Sequence, residues 1–406
     1  MTTAPSPAAA GLTGVTAPLG FKAAAVAAGI KPQGLDLALL VADAGCTVAA
    51  VFTTNRAQAA PVLVSREHVA SGRARAVVVN AGCANAATGA SGLADARETA
   101  SLVAQAIGCR PQEVVVASTG VIGVPLPMPA LRSGVPAAAA GLTREGGADA
   151  ARAIMTTDTR PKEVVVEFTL GGRTARVGGM AKGAGMIAPR MATMLAFFTT
   201  DAAVDAGLLR AALREAVGSS LNRITVDGDT STNDMAVVLA NGAVPERAIL
   251  SPGRDYDAFR AALTEAARRL AEMIVRDGEG ATRFAEIRVE GAGSGDDADR
   301  VARAIAESPL VKTALHGGDP NWGRILAAAG RSGVAIDVSR VDIVLGDVWV
   351  AEGGAARAYD EALAHAAVTA DPVRILVRLN AGPAAGWMWT CDLTRGYVDI
   401  NAHYRS

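Results

Sequence analysis

Aromatic side chains make up only 4% of this 406-residue chain, although half of its residues are hydrophobic. Its core must therefore be filled mainly by alanine, valine and leucine. Cysteine and histidine are equally thin: Cys46, Cys83, Cys109 and Cys391, and His68, His316, His365 and His403, stand apart without metal-ligand spacing. That speaks against a zinc site and a disulfide framework, and fits a reducing compartment. An excess of charge of one sign is missing too. The formal net charge is −1, so no electrostatic footprint for nucleic acid or an acidic membrane surface exists. No apolar run approaches the roughly 20 residues of a membrane span. The amino terminus lacks the basic stretch of a signal peptide. There is no Gly-rich phosphate loop of the dinucleotide or P-loop type, and no internal repeat. A cytoplasmic, soluble protein without metal or bound cofactor is expected, long enough for two domains or one large one.

Strands and helices alternate along the rest. Residues 1–18 are rich in Pro, Ala, Thr and Ser and are expected to form a loosely ordered tail, with Gly20–Lys31 opening the globular part. Thr47–Thr54, Ala76–Asn80 and Glu113–Ser118 are β-prone, and Ala94–Ile107 has amphipathic helical spacing. Pro125–Pro129 is a rigid linker, followed by Ala- and Gly-rich loop or helix through Gly147 and a helix at Ala148–Ile154. Lys162–Leu170 and Arg173–Val177, joined by Gly171-Gly172, form a hairpin. Helices are expected at Ala206–Val217, Asp299–Glu307, near Glu361–Ala367, and at Tyr256–Arg276, where Phe259, Leu263, Ala266, Leu270 and Ile274 share one face. Strands at Val373–Asn380 and Trp387–Leu393 follow. The pattern is an α/β or α+β sandwich rather than a bundle.

Inside this frame, Met180–Thr200 joins two segments of opposite character. Gly178–Gly185 is small and loop-like with one charge, Lys182; Thr193–Thr200 is apolar and reads as a buried strand. Pro189 keeps a helix from running through. Thr193 thus stands where a loop enters a core strand, and its hydroxyl can act as a nucleophile if a base lies beside it. Read alone, it is an ordinary strand threonine. The polar run Val226–Met235 contains Asp-x-Asp-x-x-x-Asn-Asp. It lacks the full calcium-loop spacing and closing Glu, and is a hydrogen-bond network rather than a metal site.

Lys182-Gly-Ala-Gly-Met-Ile-Ala-Pro-Arg-Met-Ala-Thr-Met-Leu195 resembles the self-cleavage segment of the ornithine acetyltransferase (glutamate N-acetyltransferase) family of arginine biosynthesis. Val79–Gly89, the Asp-Gly-Asp run at 227–229 and Ser308–Arg324 resemble it as well, so the likeness extends from Gly20 to Ser406. Asp319, Asn321, Trp322 and Arg324 read as a tight turn with packing roles. The sequence departs from the family's pattern at Arg190, where Asn or Ser is usual, and at His403, where an acidic residue is common.

The resemblance implies an α+β (α/β sandwich) fold of the DmpA/ornithine acetyltransferase-like kind, mechanistically close to amino-terminal-nucleophile hydrolases. It implies cleavage between Ala192 and Thr193 into pieces 19–192 and 193–406, pairing as α2β2. Thr193 becomes nucleophile and free-amine base, with Thr119 and Gly120 as the oxyanion hole; a glycine admits a backbone N–H and a neighbouring hydroxyl can donate. Substrate contacts fall on Thr156 (Thr157 being the close alternative), Lys182, Thr193, Glu279, Asn401 and Ser406. Lys182 suits a carboxylate and Glu279 an ammonium. The implied reaction moves acetyl from N-acetylornithine to glutamate through acetyl-threonine, with acetyl-CoA as a second donor in the family's bifunctional members. Alternatives are a monofunctional transferase, an amino-terminal-nucleophile aminopeptidase, or a processed but inactive binding protein.

Overall fold

The computed structural model describes residues 12–188 and 194–403. Its larger sheet is built from β1 (Phe21–Val26), β2 (Leu37–Phe52), β3 (Arg73–Cys83), β4 (Val114–Val121), β5 (Lys162–Leu170), β6 (Arg173–Lys182), β7 (Leu195–Thr200) and β8 (Met235–Ala240). Their spatial order is β4-β3-β2-β8-β7-β6-β5, with β1 paired to β2. The order interleaves the sequence. β7 and β8 lie parallel to each other and are hydrogen-bonded on their outer sides to β6 and β2, both antiparallel.

Both faces of this sheet are covered, so β7 and β8 are apolar at nearly every position and buried throughout. Leu195, Phe197, Met235, Val237 and Leu239 enter one core with Phe21 and the helix Gly147–Ala153; Ala196, Phe198, Ala236 and Val238 enter the other. That second core is closed by the helices Ala206–Gly218 and Arg254–Arg276 through Leu209, Leu213, Phe259, Leu263, Leu270 and Ile274. Each large apolar side chain so buried contributes roughly 1.5–3 kcal/mol before the entropy of ordering it is counted.

A smaller sheet follows: β9 (Phe284–Ala292), β10 (Asp342–Leu345), β11 (Val348–Glu352), β12 (Ala355–Ala356), β13 (Val373–Arg378) and β14 (Ala384–Cys391), ordered β12-β11-β10-β13-β9-β14. It packs its own core against the helices Gly295–Ala306, Pro309–Gly317, Trp322–Gly330 and Glu361–Thr369. The class is α+β, as expected.

Four details differ from the sequence reading. Residues 12–18 do not belong to a loose tail, because Gly14–Thr16 is a 3-10 turn in which Val15 is fully buried and its carbonyl accepts a 2.8 Å hydrogen bond from Thr199 Oγ1. Gly178–Lys182 is strand, not loop. The two corrections share a cause: a Cβ on Gly178 would lie 2.1 Å from the Gly14 carbonyl oxygen, so the glycine is there to admit the turn. β2 begins ten residues earlier than Thr47 and crosses the Asp43–Gly45 break through an irregularity between Val41 and Cys46. Finally, Asn401 lies in a carboxy-terminal helix, Arg395–His403, where no element was expected.

Candidate active site

β3 and β4 run parallel and end together at one side of the larger sheet. Thr119 and Gly120 lie just before Val121, the last residue of β4. Gly120 has φ +125°, and a Cβ there would sit 2.4 Å from the Gly82 carbonyl carbon, so no other residue fits this approach. Buried amides fix the turn beneath. Ser118 Oγ donates to Asn80 Oδ1 (2.6 Å) and Asn80 Nδ2 donates to the Cys83 carbonyl (2.8 Å). Asn233 Nδ2 donates to the carbonyls of Ala84 (2.6 Å) and Ser118 (2.9 Å). The Asn-containing segment Val79–Gly89 is thus structural, and Asn233 extends its network from a distant part of the chain.

Lys182 closes β6 opposite this turn. It is 9% exposed, and its Nζ donates to Thr119 Oγ1 at 3.3 Å. Burial lowers its pKa, and Lys162 adds to the fall while Asp158, Asp234 and Glu279 oppose it. Behind it lies a buried ion cluster. Lys162 Nζ is 2.7 Å from Asp158 Oδ1 and 2.6 Å from Asp277 Oδ2. Asp158 also accepts the N–H groups of Thr156 (3.0 Å) and Gly183 (2.7 Å), and Asp277 accepts Thr159 N–H and hydroxyl. Burial alone would raise the Asp158 carboxyl; Lys182, Lys162 and these hydrogen bonds outweigh it and hold the pKa at about 2. The cluster ties the Thr156–Thr157 turn to the strand end that carries Lys182.

The far wall comes from the second half of the chain. Glu279 follows the helix Arg254–Arg276, is 6% exposed, and accepts Asn401 Nδ2 at 2.6 Å on Oε2. The polar run divides its labour. Asp227 accepts the N–H groups of Met186 (2.6 Å) and Ile187 (2.8 Å) and the Tyr397 hydroxyl (3.3 Å). Thr230 Oγ1 donates to the Ala188 carbonyl at 3.0 Å. Asp234 enters the cleft wall, buried, with its pKa raised well above the usual carboxylate value by desolvation. Among the described residues no group of three or more His, Cys, Asp or Glu is placed to hold a metal ion.

Thr119, Gly120, Thr156, Thr157, Lys182, Glu279 and Asn401 all line one cleft, open at its mouth. Ala192, Thr193, Arg190 and Ser406 lie outside the described residues. His403 is exposed at the end of its helix, where its Nδ1 meets the Asp399 carbonyl. Asp319, Asn321, Trp322 and Arg324 form a helix start, Asn321 capping the Arg324 N–H, away from the cleft. Asp158, Lys162, Asp277 and Asp234 carry no individual site signal in the sequence. Asp158 and Lys162 are four apart, but no spacing links Lys162 to Asp277, 115 positions on.

A family model described as the ArgJ family matches residues 22–406. The chain belongs to the ArgJ family. The arginine biosynthesis bifunctional protein ArgJ of Symbiobacterium thermophilum is 52% identical over 97% of this chain and 98% of its own length. That of Dehalococcoides mccartyi is 49% identical over 96% of each. The ornithine acetyltransferase of Mycobacterium tuberculosis, solved with ornithine, is 46% identical over 44% of this chain and 96% of the solved chain, with a TM-score of 0.40. ArgJ membership makes this chain an acyltransferase of arginine biosynthesis. Among its described residues no helix is long and apolar enough to cross a membrane.

Proposed function

We propose that this cleft moves acetyl from N2-acetyl-L-ornithine to L-glutamate through an acetyl ester on Thr193. The observation that carries the reading is the placement of Lys182 and Glu279, a buried cation and a buried anion, in one cleft with Thr119 and Gly120. An amino-acid substrate needs that pair of charges, and an acyl transfer needs donors between them. Lys182 donates to Thr119 Oγ1, which leaves the Thr119 hydroxyl hydrogen to point at an oxyanion beside the Gly120 N–H. Asn401 holds one Glu279 oxygen for the substrate ammonium. Thr156, Thr157 and Ser406 complete the substrate contacts.

Thr193 first attacks the Ala192 carbonyl, and hydrolysis of the resulting ester frees its amine. An unperturbed α-amine titrates near pH 7.7–8.0, close to what a general base at cell pH requires. The two pieces, one ending at Ala192 and one starting at Thr193, stay together, because β7 and β8 of the second lie between β6 and β2 of the first. Pairing as α2β2 in the cytoplasm, use of acetyl-CoA as a second acetyl donor, and independence from any bound cofactor belong to the same proposal.

The purified protein incubated with N-acetylornithine and glutamate should give N-acetylglutamate and ornithine. Release of acetate alone would replace the transferase with a hydrolase, and acetyl-CoA plus glutamate tests the second donor. Denaturing mass spectrometry should find one piece ending at Ala192 and one starting at Thr193, with Thr193→Ala uncut and inactive.

A further inference from the structure

Strand pairing does not by itself fix the turn that carries Thr119 and Gly120. The parallel ladder between β3 and β4 runs regularly from Ala76 to Gly82, then shifts register at Cys83, which lies opposite both Thr119 and Val121. Gly120, at φ +125°, leaves the strand conformation at the same point. Donors that must meet a developing oxyanion need their peptide groups held to within about 0.5 Å. A group outside these two strands has to hold them.

Asn233 reaches the turn from the end of the polar run, just ahead of β8. It is buried, and it lines the cleft together with Ala84, Thr119 and Gly120. Its Nδ2 carries two hydrogens and donates to two carbonyls, Ala84 at 2.6 Å and Ser118 at 2.9 Å. The Ser118 carbonyl shares one rigid peptide plane with the Thr119 N–H, so holding the first orients the second. Ala84 follows the Gly82–Cys83 backbone against which Gly120 packs, and its N–H donates to the Val121 carbonyl at 2.9 Å. One amide therefore pins the chain directly before the oxyanion pair and, through Ala84, directly after it. The amide is itself fixed. Thr232 Oγ1 donates to its Oδ1 at 2.6 Å, which turns the NH2 group towards the carbonyls, and the Asn233 N–H donates to Ser231 Oγ at 3.1 Å. An aspartate of the same shape would set oxygens against both carbonyls, and a serine could hold just one of them.

We propose that Asn233 is a positioning residue for acetyl transfer: it holds the Ser118 and Ala84 carbonyls so that Thr119 and Gly120 keep their donors on the oxyanion. The role rests on the acetyl-transfer reading above. Asn233 touches no reacting atom in this scheme and moves no proton. Because it acts through the turn, its loss is felt where the oxyanion exists, in the transition state. Binding of ornithine, which has no acetyl group, depends instead on Lys182 at the end of β6 and on Glu279 past the long helix.

The test is a double-mutant cycle on the purified enzyme, with kcat counted per molecule carrying a free Thr193 amine. Asn233→Ala should lower kcat for N-acetylornithine and glutamate about 10- to 100-fold, and Asn233→Ser by less. The Kd for ornithine, measured by calorimetry, should stay within about threefold of wild type in both. In a Thr119→Ala background, Asn233→Ala should cost no more than about a further threefold, because the donor it aims is already gone. Where a variant stays uncut, the rate of self-cleavage, which also passes through an oxyanion, replaces kcat in the same comparison. If Asn233→Ala does not fold, Asn233→Ser, which keeps one hydrogen bond, decides the case. Wild-type kcat in the folded variant overturns the proposal. So do fully multiplicative losses in the double variant, or an ornithine Kd that weakens as much as kcat falls, since a general packing role predicts those. If wild type makes no N-acetylglutamate, the acetyl-transfer reading itself is lost, and this one with it.

Discussion

Two buried lysines, one beside each sheet, are provided for in opposite ways. Lys312, in the helix Pro309–Gly317, is 2% exposed; its Nζ donates to Thr390 Oγ1 at 3.0 Å and to the Cys391 carbonyl on β14. Neutral acceptors satisfy it, and it ties a helix to an edge strand. Lys182 is also buried, but among the described residues its side-chain hydrogen bond is a single 3.3 Å contact to Thr119, and the carboxylates of Asp158, Asp234 and Glu279 act on it without pairing directly. The first lysine is finished by the fold. Among the described residues, the second keeps donors that no acceptor of the fold takes up.

Breaking the charge cluster behind the second lysine should have the largest effect. Lys162→Met leaves Asp158 and Asp277 buried together without their cation, and should cost about 3–5 kcal/mol of stability by urea denaturation. Next comes chemistry without stability: Thr119→Ala should lower kcat by about 10²–10³ with KM nearly constant and the thermal midpoint unmoved. A rise in KM alone would mean that Thr119 binds the ground state instead. The two lysines then sharpen each other. Lys312→Met should cost about 1–3 kcal/mol of stability and leave KM alone, since it orphans buried acceptors. Lys182→Met should do the reverse, raising KM for glutamate about 10- to 100-fold with stability little changed. Matching losses in both would erase the distinction.

Acid is the mildest probe. Asp158 is held at about 2, below the roughly 3.9 of an unfolded carboxyl. It therefore adds stability above pH 4, and that contribution drains away as the pH falls from about 4 towards 2. Asp158→Asn should flatten that part of the stability profile in a pH series of thermal melts.

The sequence made the hairpin, the long helix and the cleft residues legible for different reasons. Lys162–Leu170 alternates and Arg254–Arg276 carries a clean apolar stripe, so local periodicity sufficed. Thr119, Gly120, Lys182, Glu279 and Asn401 were identified by resemblance, and the structure brings all five to one cleft. What stayed hidden depended on packing between distant segments. Gly178 looks like a loop residue until the Gly14 turn is laid against it. The Lys162–Asp277 pair joins a strand to the end of a helix far along the chain. Asp234 is one carboxyl in a run of polar residues, and nothing in the spacing separates it from Asp227, whose carboxylate accepts the N–H groups of Met186, Ile187 and Asp229.

The interleaved order of the larger sheet has a consequence for time. Strands β7 and β8 are slotted between β2 and β6, so the catalytic wall is complete only after the downstream segment has threaded into place between upstream neighbours. With the cut proposed above, a severed backbone is then a receipt: only a molecule that has finished assembling possesses the groups that sever it. Misassembled copies keep an intact backbone and a blocked amine, and so stay silent as catalysts. A gel that separates one band from two would count, in a single lane, how many molecules in a culture completed their folding.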